Sequence, residues 1–151
     1  MPTWTRCTVV SLISFMVASC GGATTPSPAL NLTGTWSGVI GQRSGGGRAL
    51  RVTWTATQDG NTASGPASVL TSPPVTDVIF SGILTGRLSG DQVSFTLSAQ
   101  PLPGSDCSLS GTGSAAVAVV TATLAGSLDV HFTSCGTLAP PSNNQLLLTK
   151  Q

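Results

Sequence analysis

The sequence predicts an all-β fold, a single small antiparallel up-and-down β-barrel of about eight strands. Apolar and polar residues alternate in several segments, which is the period of a half-buried strand. Threonine and valine, which favour strands, are frequent, whereas glutamate is absent and other good helix formers are scarce. The pairs Asp59-Gly60 and Gly90-Asp91 separate alternating runs, and such pairs suit the tight turns of hairpins.

The alternating runs place the strands in order along the chain. Trp36 and Ile40 share one face of the first strand, Val52 and Trp54 one face of the second. A β-sandwich has the same alternation and turns, and it is the alternative fold. We expect strands at about 32–40, 49–58, 62–70, 78–88, 92–99, 107–116, 118–128 and 145–150, with a short or irregular ninth near 129–134.

A Leu-x-Gly pattern recurs four times, starting at Leu32, Leu84, Leu109 and Leu124. A glycine inside a strand usually marks strong bending or the close approach of a bulky neighbour. The repeat therefore predicts a tightly curved sheet that closes on itself. Trp36 and Trp54 are the only tryptophans after residue 20, and we expect them to fill space beside the glycines or to contact a ligand.

The N-terminal segment has the features of an export signal. Residues 1–6 are polar with one positive charge, and residues 7–17 form an apolar run that is too short for a permanent membrane helix of about 20 residues. Residues 1–19 are therefore interpreted as a signal peptide, residues 20–29 as a flexible tether, and residues 30–151 as the barrel domain.

The end of this segment, Val17-Ala18-Ser19-Cys20, resembles the lipobox of bacterial lipoproteins. The resemblance implies cleavage before Cys20 and a diacylglycerol on its sulfur, which would anchor an exported protein to a membrane of the cell envelope. Gly21 follows and no aspartate is present there, so the resemblance implies the outer membrane in a bacterium with two membranes. An ordinary secretory signal cut near Ala23 is the alternative.

Two cysteines remain for the domain once Cys7 leaves with the signal and Cys20 carries lipid. In an oxidising envelope, Cys107 and Cys135 are expected to form a disulfide. A redox or metal site is the alternative, but the C-x-x-C spacing and neighbouring histidines are missing.

Charge excludes one class of partner. From Cys20 onward the chain has five basic and five acidic residues, so its net charge is near zero and no basic surface is expected to attract nucleic acid. Serine and threonine together supply 35 residues in the same part of the chain, and their hydroxyls are expected to solvate the surface. Arg43, Arg48 and Arg51 cluster on a glycine-rich hairpin, which suits contact with anionic lipid headgroups or polysaccharide. A solvated loop that helps to keep the barrel in solution is the alternative.

The sequence gives little support to catalysis. His131 is the only histidine, with Asp129 on the same face and Ser134 close by, but no G-x-S-x-G element is present. The aspartates are scattered among expected turns, which supports neither a glycosidase pair nor a metal site. We therefore expect a protein that is not an enzyme and that uses no cofactor.

The opening Leu32-Thr33-Gly34-Thr35-Trp36, the run of hairpins and the closing Leu146-Leu147-Leu148-Thr149 resemble the barrels of the avidin and lipocalin group. The resemblance implies an interior that side chains fill or that holds one small ligand. Avidins use several tryptophans and a tyrosine on later strands, and this chain has no tyrosine and no tryptophan beyond Trp54, so biotin binding is not implied. A family of bacterial metalloprotease inhibitors also opens with a Gly-x-Trp strand, but its disulfide lies elsewhere along the chain.

Three classes of function remain open after these observations. The first is a non-catalytic, membrane-anchored binding or interaction module for a small apolar ligand, a glycan or an envelope protein. The second is a purely structural envelope lipoprotein with a filled barrel. The third is an inhibitor or an enzyme.

The lipobox interpretation predicts that Cys20→Ser prevents lipid attachment, because the hydroxyl cannot form the thioether. The variant should leave the membrane fraction or stay unprocessed, as measured by fractionation and by intact mass. Cys7→Ser is the matched control and should behave like the wild type. Unchanged processing and fractionation of Cys20→Ser would contradict the lipobox.

Overall fold

A computed structural model describes residues 30–41, 49–71, 78–138, 140–141 and 143–151. These residues form eight antiparallel strands joined in sequence order into one closed barrel. The predicted all-β up-and-down barrel is thereby confirmed. The strands are β1 (Gly34–Ile40), β2 (Leu50–Asp59), β3 (Thr62–Thr71), β4 (Ile79–Ser89), β5 (Gln92–Gln100), β6 (Ser108–Ala118), β7 (Thr123–Thr133) and β8 (Gln145–Lys150).

Closure excludes the sandwich alternative. Every strand pairs with its sequence neighbour, and β1 also pairs with β8, from Trp36 opposite Lys150 to Ile40 opposite Leu146. A sandwich would leave two sheets with free edges, whereas here the first and last strands complete one continuous sheet.

The boundaries differ from the expectation around β7. This strand begins at Thr123 rather than near residue 118 and continues to Thr133, so the segment 129–134 belongs largely to β7 and is not a ninth strand. The continuous pairing of β6 with β7, from Ser108 opposite Thr133 to Ala118 opposite Thr123, explains the extension. The connecting turn, residues 119–122, has no glycine, proline or aspartate, which conceals it in the sequence.

The interior of the barrel is filled by apolar side chains from all eight strands. Trp54 meets Phe95 edge to face, with ring centroids 5.9 Å apart, and burial of each such side chain contributes about 1.5–3 kcal/mol. The side chains that are 0% exposed include Leu32, Ile40, Trp54, Val69, Phe80, Val93, Leu109, Leu124, Leu128 and Leu148.

Glycines allow the curved sheet to close around this core. A Cβ atom at Gly38 would overlap the carbonyl of Leu147 on β8, and one at Gly113 would overlap the carbonyl of Ser127 on β7. At Gly86, a Cβ atom would lie 3.3 Å from the ring of Trp54, so this tryptophan fills the space beside a repeat glycine as predicted. Only glycine, which lacks a Cβ atom, therefore fits where the backbones of paired strands approach most closely.

We expect Gly113→Ala to lower the free energy of unfolding by about 2–3 kcal/mol, because the methyl group would collide with the backbone of β7 and not with a flexible side chain. Thr112→Ala, at the exposed neighbouring position, is the control and should change stability by less than about 0.5 kcal/mol. Urea unfolding followed by tryptophan fluorescence measures both. Equal midpoints for the two variants would show that the close approach is not needed.

Candidate functional site

The barrel has two unlike ends. The connections β1–β2, β3–β4, β5–β6 and β7–β8 leave one end, which we call the loop end. The three short hairpin turns and the residues Leu30 and Gln151 lie at the other, which we call the turn end. Residues 1–29 precede Leu30, so any anchor on Cys20 would connect to the turn end.

The segment 30–33 closes the turn end. Leu32 is fully buried, and its amide donates to the side chain of Gln58 at 2.6 Å. The same Gln58 side chain donates to the carbonyls of Leu30 and Gly60. The indole of Trp36 donates to the carbonyl of Leu32 at 2.8 Å, which fastens this segment over the core.

The two tryptophans proposed as ligand contacts lie opposite each other on β1 and β2, and both point inward. Trp36 is 2% exposed and Trp54 is fully buried, so each ring is packed within the core. The indole nitrogen of Trp54 is buried without a hydrogen-bond partner, unlike that of Trp36. In this structure the two rings therefore act as filling for the interior.

The arginine cluster is only partly described. Arg51 is exposed on β2 near the loop end, on the outer face and away from the tryptophans. Arg43 and Arg48 lie outside the described residues, as do Cys20 and the rest of the interpreted signal and tether. The structure thus separates the indoles from Arg51.

A disulfide fastens the loop end. Cys107, before β6, and Cys135, after β7, are joined with their Cα atoms 4.6 Å apart, which confirms the predicted pairing. For a separation of 28 residues, the chain-entropy model gives a stabilisation of about 3–4 kcal/mol. Phe132, three residues before Cys135, packs on Phe80 with ring centroids 5.5 Å apart. The disulfide indicates an extracytoplasmic protein.

A groove of about 360 Å³ opens at the loop end, where β7 continues past Gln145, the first residue of β8. The pairing of β7 with β8 ends at Ser127 opposite Gln145, so residues 129–131 face the β7–β8 connection instead. The groove is lined by Asp129, Val130, His131, Pro140, Pro141, Asn143 and Asn144. It brings a carboxylate, an imidazole and two side-chain amides together.

Hydrogen bonds set the shape of this groove. The side-chain amide of Asn144 donates to the carboxylate of Asp129 at 2.8 Å, and the backbone carbonyl of Asn144 accepts from the backbone amide of Leu128 at 2.7 Å. The side chain of Asn143 accepts from the amide of Gln145 at 3.2 Å. Both amide side chains therefore support the connection, and they keep further donor and acceptor capacity toward the groove.

Catalysis was considered from the sequence for His131 and Asp129, and both residues line the groove. His131 lies beside Asp129 on the outer face of β7 and opposite Ser110 of β6. Among the described residues, however, no hydrogen bond joins its imidazole to Asp129 or to Ser110, so the relay of a serine hydrolase is not assembled. All three side chains are exposed to solvent.

A row of hydroxyls around the outside of the barrel leads to the groove, and sequence reasoning missed it. Ser64 and Thr85 share a hydrogen bond at 3.0 Å within this row. The sequence shows only that serine and threonine occupy alternate positions of each strand. Which of them become neighbours depends on the register of six strands, and the sequence does not reveal that register. Its members are Thr57, Ser64, Thr85, Thr96, Thr112 and finally Asp129.

The described part of the chain has no group of three or more histidine, cysteine, aspartate or glutamate side chains arranged to hold a metal ion. Among those same residues, no helix is long and apolar enough to span a membrane.

We expect Trp36→Phe to destabilise the domain by about 1–2 kcal/mol more than Trp54→Phe, because only the former leaves a buried carbonyl without its donor. Both substitutions remove a similar volume, so each serves as the control for the other. The free energies of unfolding from urea titrations measure the difference. Equal losses would show that the bond to Leu32 contributes nothing to stability.

Comparisons with known proteins found no matching family model, no matching curated protein and no matching solved structure.

Proposed function

We propose that this protein is a non-catalytic envelope lipoprotein, tethered to a membrane through Cys20, that contacts an envelope glycan at the loop end of its barrel. The observation that carries the proposal is the polar groove beside Asp129 and His131, on a barrel whose interior is already filled. The disulfide supports an extracytoplasmic location. The lipobox resemblance supports the anchor. The position of Leu30 at the turn end supports a tether at the end opposite the groove.

The side chains of the groove fit the chemistry of a sugar. Asp129, His131 and the amides of Asn143 and Asn144 offer both donors and acceptors, which hydroxyl pairs of a saccharide require. Pro140 and the neighbouring Pro141 add apolar ring surface. Such a surface suits the C–H face of a sugar ring, and ligand sites commonly combine apolar walls with a few placed polar groups.

The filled interior argues against a ligand in the lumen. Avidin-like and lipocalin-like binding needs an open cavity between the strands, and here Trp36 and Trp54 occupy that space. The small apolar ligand considered from the sequence is therefore the least supported partner, and the loop end or the outer face is the better place for contact.

A second candidate is a purely structural envelope lipoprotein. The same packed interior supports it, together with the covalent bracing of the loop end by Cys107–Cys135. In that case the groove would bind no ligand in the cell, and the protein would serve as a structural component of the envelope. The two candidates differ in whether the groove binds anything.

The test is native mass spectrometry of the domain, residues 24–151, purified from the envelope of its own host. A bound saccharide mass would support the glycan module. A clean apo mass, lower by two hydrogens for the disulfide, would favour the structural candidate.

Calorimetry with envelope glycan fragments then tests the groove itself. We expect Asn144→Ala to weaken binding about tenfold or more, because it removes the amide that positions the carboxylate of Asp129. Asn61→Ala, an exposed amide in a turn at the other end, is the matched control and should bind like the wild type. Equal affinities for the two variants would place any glycan contact elsewhere.

A further inference from the structure

We infer that the turn end docks on the surface of an anionic lipid bilayer through the tip of the β6–β7 hairpin, Val119 and Val120, with Lys150 beside it. The inference deepens the proposed function, and it rests on the lipid anchor at Cys20. It assigns the protein a fixed orientation, with the groove directed away from the membrane.

The hairpin tip differs from the other two turns at the same end. The β2–β3 and β4–β5 connections use Asp59-Gly60-Asn61 and Gly90-Asp91, which are polar and have glycine at positive φ. The β6–β7 tip instead presents Val119, which is 53% exposed, and Val120, which is 100% exposed. Two apolar side chains at the apex of a turn contribute nothing to the core of the barrel.

The apolar surface continues from the tip toward the entry of the chain. A shallow depression of about 200 Å³ is lined by the apolar residues Leu30, Trp36, Val117, Val119 and Ala122, together with Asn31 and Lys150. The depression therefore joins the hairpin tip to Leu30, the residue where the interpreted tether meets the barrel.

Charge favours a tilted approach. The ammonium of Lys150 borders the depression, 5.7 Å from the ring centroid of Trp36, and it donates to the carbonyl of Asn31. Asp59 and Asp91 lie at the other two turns of the same end, and the exposed Arg87 lies between them, opposite Thr62. Its charge offsets one of the two carboxylates, whereas Lys150 has no aspartate beside it in the depression. Anionic headgroups should therefore attract the side with Lys150 most strongly, so the β6–β7 tip should lead.

The tether keeps this surface close to the membrane. Ten residue steps separate Cys20 from Leu30, and an extended chain spans at most about 3.6 Å per residue, so the turn end stays within about 36 Å of the lipid. A weak interfacial contact then becomes effective, because the anchor raises the local concentration of the bilayer. An apolar tip with a neighbouring cation is the usual chemistry of interfacial contact.

The test uses the full lipidated chain, purified from membranes and reconstituted in vesicles of phosphatidylethanolamine and phosphatidylglycerol with brominated acyl chains. Val120→Trp places a fluorophore at the hairpin tip, and Leu102→Trp places the same fluorophore at the loop end, where the native side chain is 69% exposed. The buried Trp36 and Trp54 are common to both variants, so the wild-type signal can be subtracted.

We expect the fluorophore at position 120 to shift to shorter wavelength and to be quenched about twofold or more relative to the one at position 102. Replacing phosphatidylglycerol with phosphatidylcholine should reduce the quenching, because Lys150 loses its anionic partners. Equal quenching at the two positions would overturn the docking. A blue shift at position 120 without lipid would also overturn it and would indicate a second copy of the chain on the tip.

The outcomes separate the two proposals. If the protein floats with the vesicles and Asn144→Ala affects glycan binding, but position 120 is quenched no more than position 102, only the docking is wrong. If the lipidated chain does not float with the vesicles, the anchor of the proposed function and the docking are both overturned.

Discussion

The closure of the sheet by a short last strand is the constraint on which the rest of the structure depends. β8 spans Gln145–Lys150, whereas β7 spans Thr123–Thr133, so β8 can cover only the half of β7 nearest the turn end. The closure allows the sheet to enclose one core without free edges, but it leaves residues 129–133 beyond the last strand pair. The β7–β8 connection covers this stretch, and the groove lies between them.

The packed interior limits where the protein can act. The indole nitrogen of Trp54 is buried without a partner, which costs about 1–3 kcal/mol, and the edge contact with Phe95 and the fit beside Gly86 offset this cost. A cavity that admitted a ligand would remove these contacts. Contact with other molecules is therefore left to the two ends and the outer face, where the polar and unpaired apolar groups lie.

Much of the fold could be predicted from the sequence because alternation and turn pairs are local signals. Trp36, Trp54 and Phe95 lie on the inward face as their spacing indicates, and the Asp59-Gly60 turn is in its expected place. The β6–β7 turn was missed because valine and threonine occupy it, and those residues favour strands. Because the turn was predicted too early in the chain, the start of β7 was predicted near residue 118. Residues 129–134 were then assigned to a separate short strand, whereas most of them belong to β7.

The candidate site was less accessible to prediction because it depends on register. The sequence placed His131 and Asp129 on one face, but only the pairing of six strands reveals the hydroxyl row that reaches Asp129. The groove likewise depends on the difference in length between β7 and β8, and on two hydrogen bonds of Asn144. The pairing of Cys107 with Cys135 was predictable, because the interpreted signal and lipobox account for the other two cysteines of the chain.

Because hydroxyls rather than charged groups cover the exterior, the stability of the barrel should depend little on ionic strength. No ion pair joins the charged side chains within the described ranges, and Asp129 and Lys150 are held by uncharged partners instead. Salt screens interactions between charges and leaves apolar packing and neutral hydrogen bonds largely intact. A domain held in this way should keep its shape as the ionic strength of its surroundings rises and falls, which suits an extracytoplasmic protein.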